Sequence, residues 1–132
     1  SPMKRTRRNT GPSSDVVDAV LERANHSCEA CSSPLGDRRG VDWSVQHRRP
    51  RSMGGTRWPG INLPSNLMIL CGSATTGCHG FAESHRSSAV ATGWLILSHD
   101  DPRNVPALIC RDRWTYLTDD GRYDDAPPEV AA

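Results

Sequence analysis

Three observations predict one small domain of the α+β class. The chain has 132 residues, a length typical of a single domain. Its apolar residues follow a helical period near the N-terminus, an alternating strand period over residues 41–46, and a continuous apolar run within residues 66–71. Four of its five cysteines form two local pairs, which can bind a metal ion and supplement a core with only 5% aromatic residues. We therefore expect a mixed core cross-linked by a metal ion.

Charge and patterning divide the chain into three parts. Residues 1–12 form a basic arm without acidic residues, which we expect to be disordered in the absence of a ligand. Residues 13–98 form the core, and residues 99–132 form a C-terminal β-hairpin extension with an acidic tail. No apolar run exceeds about five residues, which excludes a membrane span and predicts a soluble, cytoplasmic protein. The cations of the arm are Lys4, Arg5, Arg7 and Arg8.

Two helices are expected. The first begins at a cap formed by Ser13, Ser14 or Asp15 and ends near Asn25. The second runs from residue 79 to about residue 91, and Gly93 can end it in a left-handed conformation. The first helix has one apolar stripe at spacings of three and four residues, formed by Val16, Val17, Val20, Leu21 and Ala24.

Strands are expected between the two helices and again near the C-terminus. Residues 66–71 predict a buried strand, and residues 107–110 and 114–118 predict a hairpin in which Cys110 is a buried small hydrophobe. Prolines and glycines make residues 48–62 a loop. An alternating pattern over residues 41–46 predicts a first strand, whose buried face carries Val41, Trp43 and Val45.

The cysteine spacing favours a zinc site. Cys28 and Cys31 are separated by two residues, and Cys71 and Cys78 by six, so four soft ligands are available for a closed tetrahedral Zn²⁺ site. The alternatives are a redox pair and two disulfides. A thioredoxin-like site needs no second cysteine pair, and disulfides are rare in a reducing cytoplasm. A structural zinc ion is the preferred interpretation.

A second set of residues follows the order strand, loop, strand, helix. Gln46 and His47 end the first predicted strand, Asn66 begins the second, and His79 opens the second helix beside Cys78. This order of His, Asn and His resembles that of the HNH endonucleases, whose active site is the ββα-metal motif. The likeness is closest to small phage-encoded HNH proteins with a four-cysteine zinc frame, and it covers about residues 28–97. It is carried by His47-Arg-Arg-Pro-Arg51 with Gly54-Gly55, by Asn62-Leu-Pro-Ser-Asn-Leu67, and by Cys71 and Cys78-His79-Gly-Phe81.

The resemblance implies a role for each of these polar residues. His47 would be the general base, because a largely neutral imidazole can accept a proton from water near neutral pH. Asn66 would hold the loop backbone and thereby the His47 ring. His79 would bind the catalytic divalent cation, Mg²⁺ or Mn²⁺. Before the base the family usually has a carboxylate or a histidine that binds metal, whereas this chain has Gln46, a neutral and weaker oxygen ligand.

The remaining metal ligand is expected one helical turn after His79. Glu83, four residues on, shares the same helical face. His85, six residues on, points away by more than a right angle in a regular helix. We therefore favour Glu83 and keep His85 as the alternative.

The implied substrate is double-stranded DNA, hydrolysed to 5′-phosphate and 3′-hydroxyl ends. Four arginines in or beside the loop are expected to contact it, namely Arg48, Arg49, Arg51 and Arg57. The resemblance to phage proteins further implies a role in genome packaging with a phage large terminase subunit. The alternative interpretation is a non-catalytic zinc module that binds DNA or a protein.

Overall fold

A computed structural model describes residues 11–50, 59–97 and 99–128 of the chain. Within these residues the fold is mixed α+β, with three α-helices and two small sheets. The α+β class predicted from the sequence is therefore confirmed. The helices are α1 (Ser14–Arg23), α2 (Gly77–Ser84) and α3 (Arg86–Ala91), and the strands are β1 (Trp43–His47), β2 (Leu67–Cys71), β3 (Ala107–Ile109), β4 (Arg113–Leu117) and β5 (Tyr123–Asp124).

Helix α1 begins where the sequence predicts. The Ser13 side chain accepts a hydrogen bond from the backbone N–H of Val16 at 3.3 Å, which satisfies one of the free donors of the first turn. Val17 and Val20 are buried, and Val20 packs against the β2 residues Leu67 and Ile69. The apolar stripe of the helix thus covers one face of strand β2.

Strands β1 and β2 form an antiparallel pair at the centre of the molecule. Val45 lies opposite Ile69, and His47 lies opposite Leu67 at the end of the pair. Both faces of β2 are buried, because its alternate residues belong to two different apolar clusters. The predicted first strand began too early: Val41 precedes β1 and is 52% exposed rather than buried.

The second predicted helix is two helices. His85 has φ −124° and ψ 65°, which ends α2 and separates it from α3. The Ser84 hydroxyl donates to the carbonyl oxygens of Gly80 at 2.9 Å and Phe81 at 3.3 Å, and such bonds compete with continuation of a helix. Gly93 ends α3 as predicted, with φ +73°.

The C-terminal strands belong to the same core as the first sheet. Strands β3 and β4 form the predicted antiparallel hairpin, and β5 adds a third strand. Ala107, Ile109 and Leu117 are buried in the cluster that contains Met68 and Leu70 of β2. The hydrophobic core therefore continues beyond residue 98, where the sequence suggested an extension.

Two further expectations concern Cys110 and membranes. Cys110 is exposed at the β3–β4 turn with φ +54°, so its prediction as a buried hydrophobe is wrong. In the described ranges, every helix is too short or too polar to cross a membrane. Residues 1–10 of the predicted basic arm lie outside the described residues.

Candidate metal cluster and adjoining cleft

The four paired cysteines meet at one point. The Sγ atoms of Cys28, Cys31, Cys71 and Cys78 all lie within 4.8 Å of one another, and those of Cys31 and Cys71 are 3.8 Å apart. A tetrahedral zinc ion with Zn–S bonds of about 2.3 Å needs sulfurs roughly 3.8 Å apart. The cluster could therefore hold a metal ion, and its four thiols are consistent with structural zinc.

The protonation of these thiols shows why a cation suits the cluster. Burial raises the pKa of Cys28 to about 11, and burial together with neighbouring thiols raises the pKa of Cys78 well above its usual range. Burial also acts to raise the pKa of Cys31, but hydrogen bonds with Ser33, Cys28 and Cys78 together outweigh it and lower this pKa to about 6. Four thiolates this close repel one another unless a positive ion lies between them.

A buried carboxylate lies inside the first cysteine pair. Glu29 accepts hydrogen bonds from the guanidinium of Arg23 at 2.7 and 3.0 Å, from Ile69 N–H at 2.9 Å and from the Tyr123 hydroxyl at 2.6 Å. Its own carbonyl oxygen accepts from Cys110 N–H at 2.7 Å. Because Arg23 is in α1, Ile69 in β2 and Tyr123 in β5, Glu29 connects the cysteine cluster to three parts of the fold.

A cleft of about 390 Å³ lies at the end of β1 beside α2. Three of the residues predicted to act in catalysis line it: His47 from the strand end, and His79 and Glu83 from the helix. Arg86, at the start of α3, lines the same cleft. The fold thus brings together a candidate base, two candidate metal ligands and one cation.

His79 is held in the tautomer that a metal ligand needs. Ser44 Oγ donates to the Gly72 carbonyl oxygen at 2.8 Å and lies 2.5 Å from His79 Nδ1. Since the hydroxyl hydrogen is used toward Gly72, Ser44 Oγ accepts from Nδ1–H, and Nε2 carries the lone pair. Burial lowers the pKa of His79, although Glu83 opposes the shift, so the imidazole is neutral near pH 7.

Glu83, rather than His85, is adjacent to His79. The Glu83 Oε1 atom is 3.6 Å from His79 Nε2, as expected for residues four apart on a helix. His85 instead stacks on Phe81 with ring centroids 4.3 Å apart and is not among the residues that line the cleft. Two adjacent donors, one imidazole and one carboxylate, could hold a hard divalent cation at this point.

His47 and Asn66 are held by a network around the loop after β1. The His47 Nε2 atom is 2.8 Å from Asn62 Oδ1. Asn66 is buried, and its amide accepts from Arg49 N–H at 2.7 Å and donates to the carbonyl oxygens of Arg49 at 3.2 Å and Ile61 at 2.9 Å. The two-sided bridge expected of Asn66 is therefore present.

The structure does not bring Gln46 into the cleft. Its side chain is buried at 2% exposure, and Nε2 donates to the Trp94 carbonyl oxygen. Its Oε1 atom has no hydrogen-bond partner among the described residues. Strand alternation is the reason, because neighbouring residues of β1 point to opposite faces. The ligand role predicted for Gln46 is not supported by this position.

Arg48 is a structural residue, and its prediction as a DNA contact is wrong. It is fully buried, with an exposure of 0%, and DNA cannot reach its guanidinium. Arg49 is half-buried and Asn66 holds its backbone, whereas Arg51 and Arg57 lie outside the described residues. The Arg48 guanidinium donates to the carbonyl oxygens of Gly93, Ser65, Pro102 and Val105 at 2.6–3.0 Å.

Sequence reasoning assigned no role to four residues of the site: Ser44, Asn62, Arg86 and Glu29. Ser44 occupies a polar position of the alternating strand, and Glu29 is one of two residues between the cysteines of the first pair. Both positions could have been flagged, because a polar residue next to a buried element needs a partner. Nothing in the pattern indicated the partners of Asn62 and Arg86.

Comparisons of the chain with known protein families, with curated protein sequences and with solved structures gave no match. The functional conclusion therefore depends on the residues and geometry described above.

Proposed function

We propose that the protein is a metal-dependent DNA endonuclease with an HNH-type site and a structural zinc ion. The observation that supports this most is the cleft in which His47, His79 and Glu83 meet. A histidine near a carboxylate–imidazole pair can supply a base and ligands for a divalent cation, which together promote hydrolysis of a phosphodiester.

The residues of the cleft have separate tasks. His47 accepts the proton of the attacking water. His79 and Glu83 would hold a catalytic Mg²⁺ or Mn²⁺. When bound, such an ion would supply positive charge toward the phosphate and the leaving oxygen. Arg86 offers a further positive charge to the phosphate.

The cysteine cluster has a structural task in this proposal. Zinc at Cys28, Cys31, Cys71 and Cys78 joins the segment after α1 to the end of β2 and the start of α2. The helix that carries His79 is thereby fixed relative to the strand that carries His47. A closed site with four sulfur ligands leaves no position for substrate, so this ion does not take part in hydrolysis.

A supercoiled-plasmid assay with Mg²⁺, Mn²⁺ or EDTA tests the proposal. We expect nicked or linear product with either ion and none with EDTA. His47→Ala should lower the rate by about 10²–10⁴-fold, because it removes the base. His99→Ala is the matched control, since His99 is exposed and outside the cleft. Cleavage by His47→Ala at the parent rate would contradict the proposal.

The second candidate function is a zinc module that binds DNA or a protein without cleaving it. The position of Gln46 favours it, because among the described residues the cleft then offers two protein ligands for a catalytic ion, His79 and Glu83. DNA binding with no cleavage at any metal concentration would decide for this alternative. The large terminase subunit as a partner and the cytoplasmic location stay predictions.

A further inference from the structure

We propose that Asn62 is a positioning residue that orients the general base of the cleft by fixing the tautomer of His47. The proposal rests on the nuclease function proposed above. It assigns Asn62 the task of holding one ring nitrogen so that the other accepts the proton from water.

The contact between the two side chains determines where the imidazole hydrogen lies. The Asn62 Oδ1 atom is 2.8 Å from His47 Nε2, a normal hydrogen-bond distance. An amide oxygen only accepts, so Nε2 must carry the hydrogen. Nδ1 of His47 then carries the lone pair and is the proton-accepting atom.

Asn62 is itself held close to His47 by the buried amide of Asn66. This amide binds the backbone of Arg49, two residues after His47, and the carbonyl oxygen of Ile61, one residue before Asn62. One side chain therefore fixes both chain segments that flank the contact. Asn66 acts through Asn62, whereas Asn62 contacts the base directly.

The two histidines of the cleft hold opposite tautomers, as their different tasks require. Ser44 accepts from Nδ1–H of His79 and leaves its Nε2 for a metal ion. Asn62 accepts from Nε2–H of His47, so the lone pair of this ring is on Nδ1. The two rings are thus bound through different nitrogens, and the nitrogen that keeps the lone pair suits a metal ligand in His79 and a base in His47.

The test compares an isosteric variant without an acceptor with one that keeps the acceptor. Asn62→Leu removes the oxygen, Asn62→Asp keeps one, and Asn104→Leu is the control at an exposed asparagine remote from the cleft. Long-range ¹H–¹⁵N spectra of the imidazole are recorded without added Mg²⁺ or Mn²⁺, well above the usual histidine pKa. We expect the Nε2–H tautomer of His47 in the parent, Asn62→Asp and Asn104→Leu, and a tautomer mixture in Asn62→Leu.

Kinetics give the second readout. Asn62→Leu should lower kcat roughly 10- to 100-fold with little change in KM, because the base is misoriented while DNA binding is retained. An Nδ1–H tautomer of His47 in the parent would overturn the proposal. So would an Asn62→Leu variant with parental tautomer and kcat. If the parent does not cleave DNA at all, the nuclease function fails, and the role of Asn62 toward a base fails with it.

Discussion

At the level of single residues, helical geometry places one of the two candidate ligands, Glu83, beside His79. Glu83 lies beside His79, whereas His85 ends α2 and stacks on Phe81. The i, i+4 spacing predicted this arrangement from the sequence, because it depends only on the regularity of one turn. The break at His85 came after that turn and did not disturb it.

Glu83→Gln should raise the Mg²⁺ concentration needed for half-maximal cleavage by about tenfold or more, because an anionic ligand is lost. His85→Ala should leave it unchanged within about twofold, since His85 lies outside the cleft. Cleavage rates at graded Mg²⁺ and Mn²⁺ measure both. An inactive His85→Ala variant beside a parental Glu83→Gln variant would assign the ligand role to His85.

Arg48 illustrates what residue types alone do not reveal. Its neighbours in sequence are polar or basic, and a run of arginines beside a loop is typical of a nucleic-acid contact. Burial of Arg48 depends on the carbonyl oxygens of Pro102 and Val105, more than fifty residues away. The sequence contains the charge of a residue but not the backbone that will surround it.

At the level of elements, the cysteine cluster lies where the start of α2 meets the turn that follows α1. The thiol spacing predicted this contact well, because two ligand pairs can satisfy one tetrahedral ion only if their segments meet. The lengths of the elements were harder to predict. One helix became two at Ser84 and His85, since a single side chain can compete for the carbonyl oxygens of a short helix.

Cys28→Ser should lower the melting temperature by roughly 10 °C or more and remove the bound zinc, because binding of a structural ion contributes directly to folding. Cys110→Ser is the control, since Cys110 is exposed and lies outside the cluster. Thermal denaturation and metal analysis by mass spectrometry measure the two effects. A metal-free Cys28→Ser protein that melts with the parent would show that the cluster is not a structural site.

At the level of the whole molecule, the C-terminal strands are part of the framework of the cleft. Arg48, the residue after the candidate base, donates to the carbonyl oxygens of Pro102 and Val105. Ser65 Oγ donates to Asp119 Oδ1 at 2.5 Å. The sequence predicted the β3–β4 hairpin from local patterning but not its packing on β2. Local patterns give the elements, whereas contacts between distant segments depend on the complete fold.

Arg48→Met should lower the free energy of unfolding by at least about 3 kcal/mol, because four buried carbonyl oxygens lose a charged donor. Arg38→Met is the control, since Arg38 is exposed and its ion pair with Asp42 should contribute only about 0–1 kcal/mol. Urea denaturation measures both. Equal losses in the two variants would mean that the buried network does not stabilise the fold.

The hydrogen bonds of Glu29 have a consequence for how the molecule opens. The amides of Ile69 and Cys110 both donate to this one residue, although the Cys110 side chain faces solvent. Exposure of the Cys110 amide requires the β3–β4 turn to separate from the Glu29 carbonyl oxygen. In hydrogen–deuterium exchange we expect the two amides to exchange at similar, slow rates, and both to lose protection together when zinc is extracted. The cysteine pair would then be the point from which the whole domain unfolds.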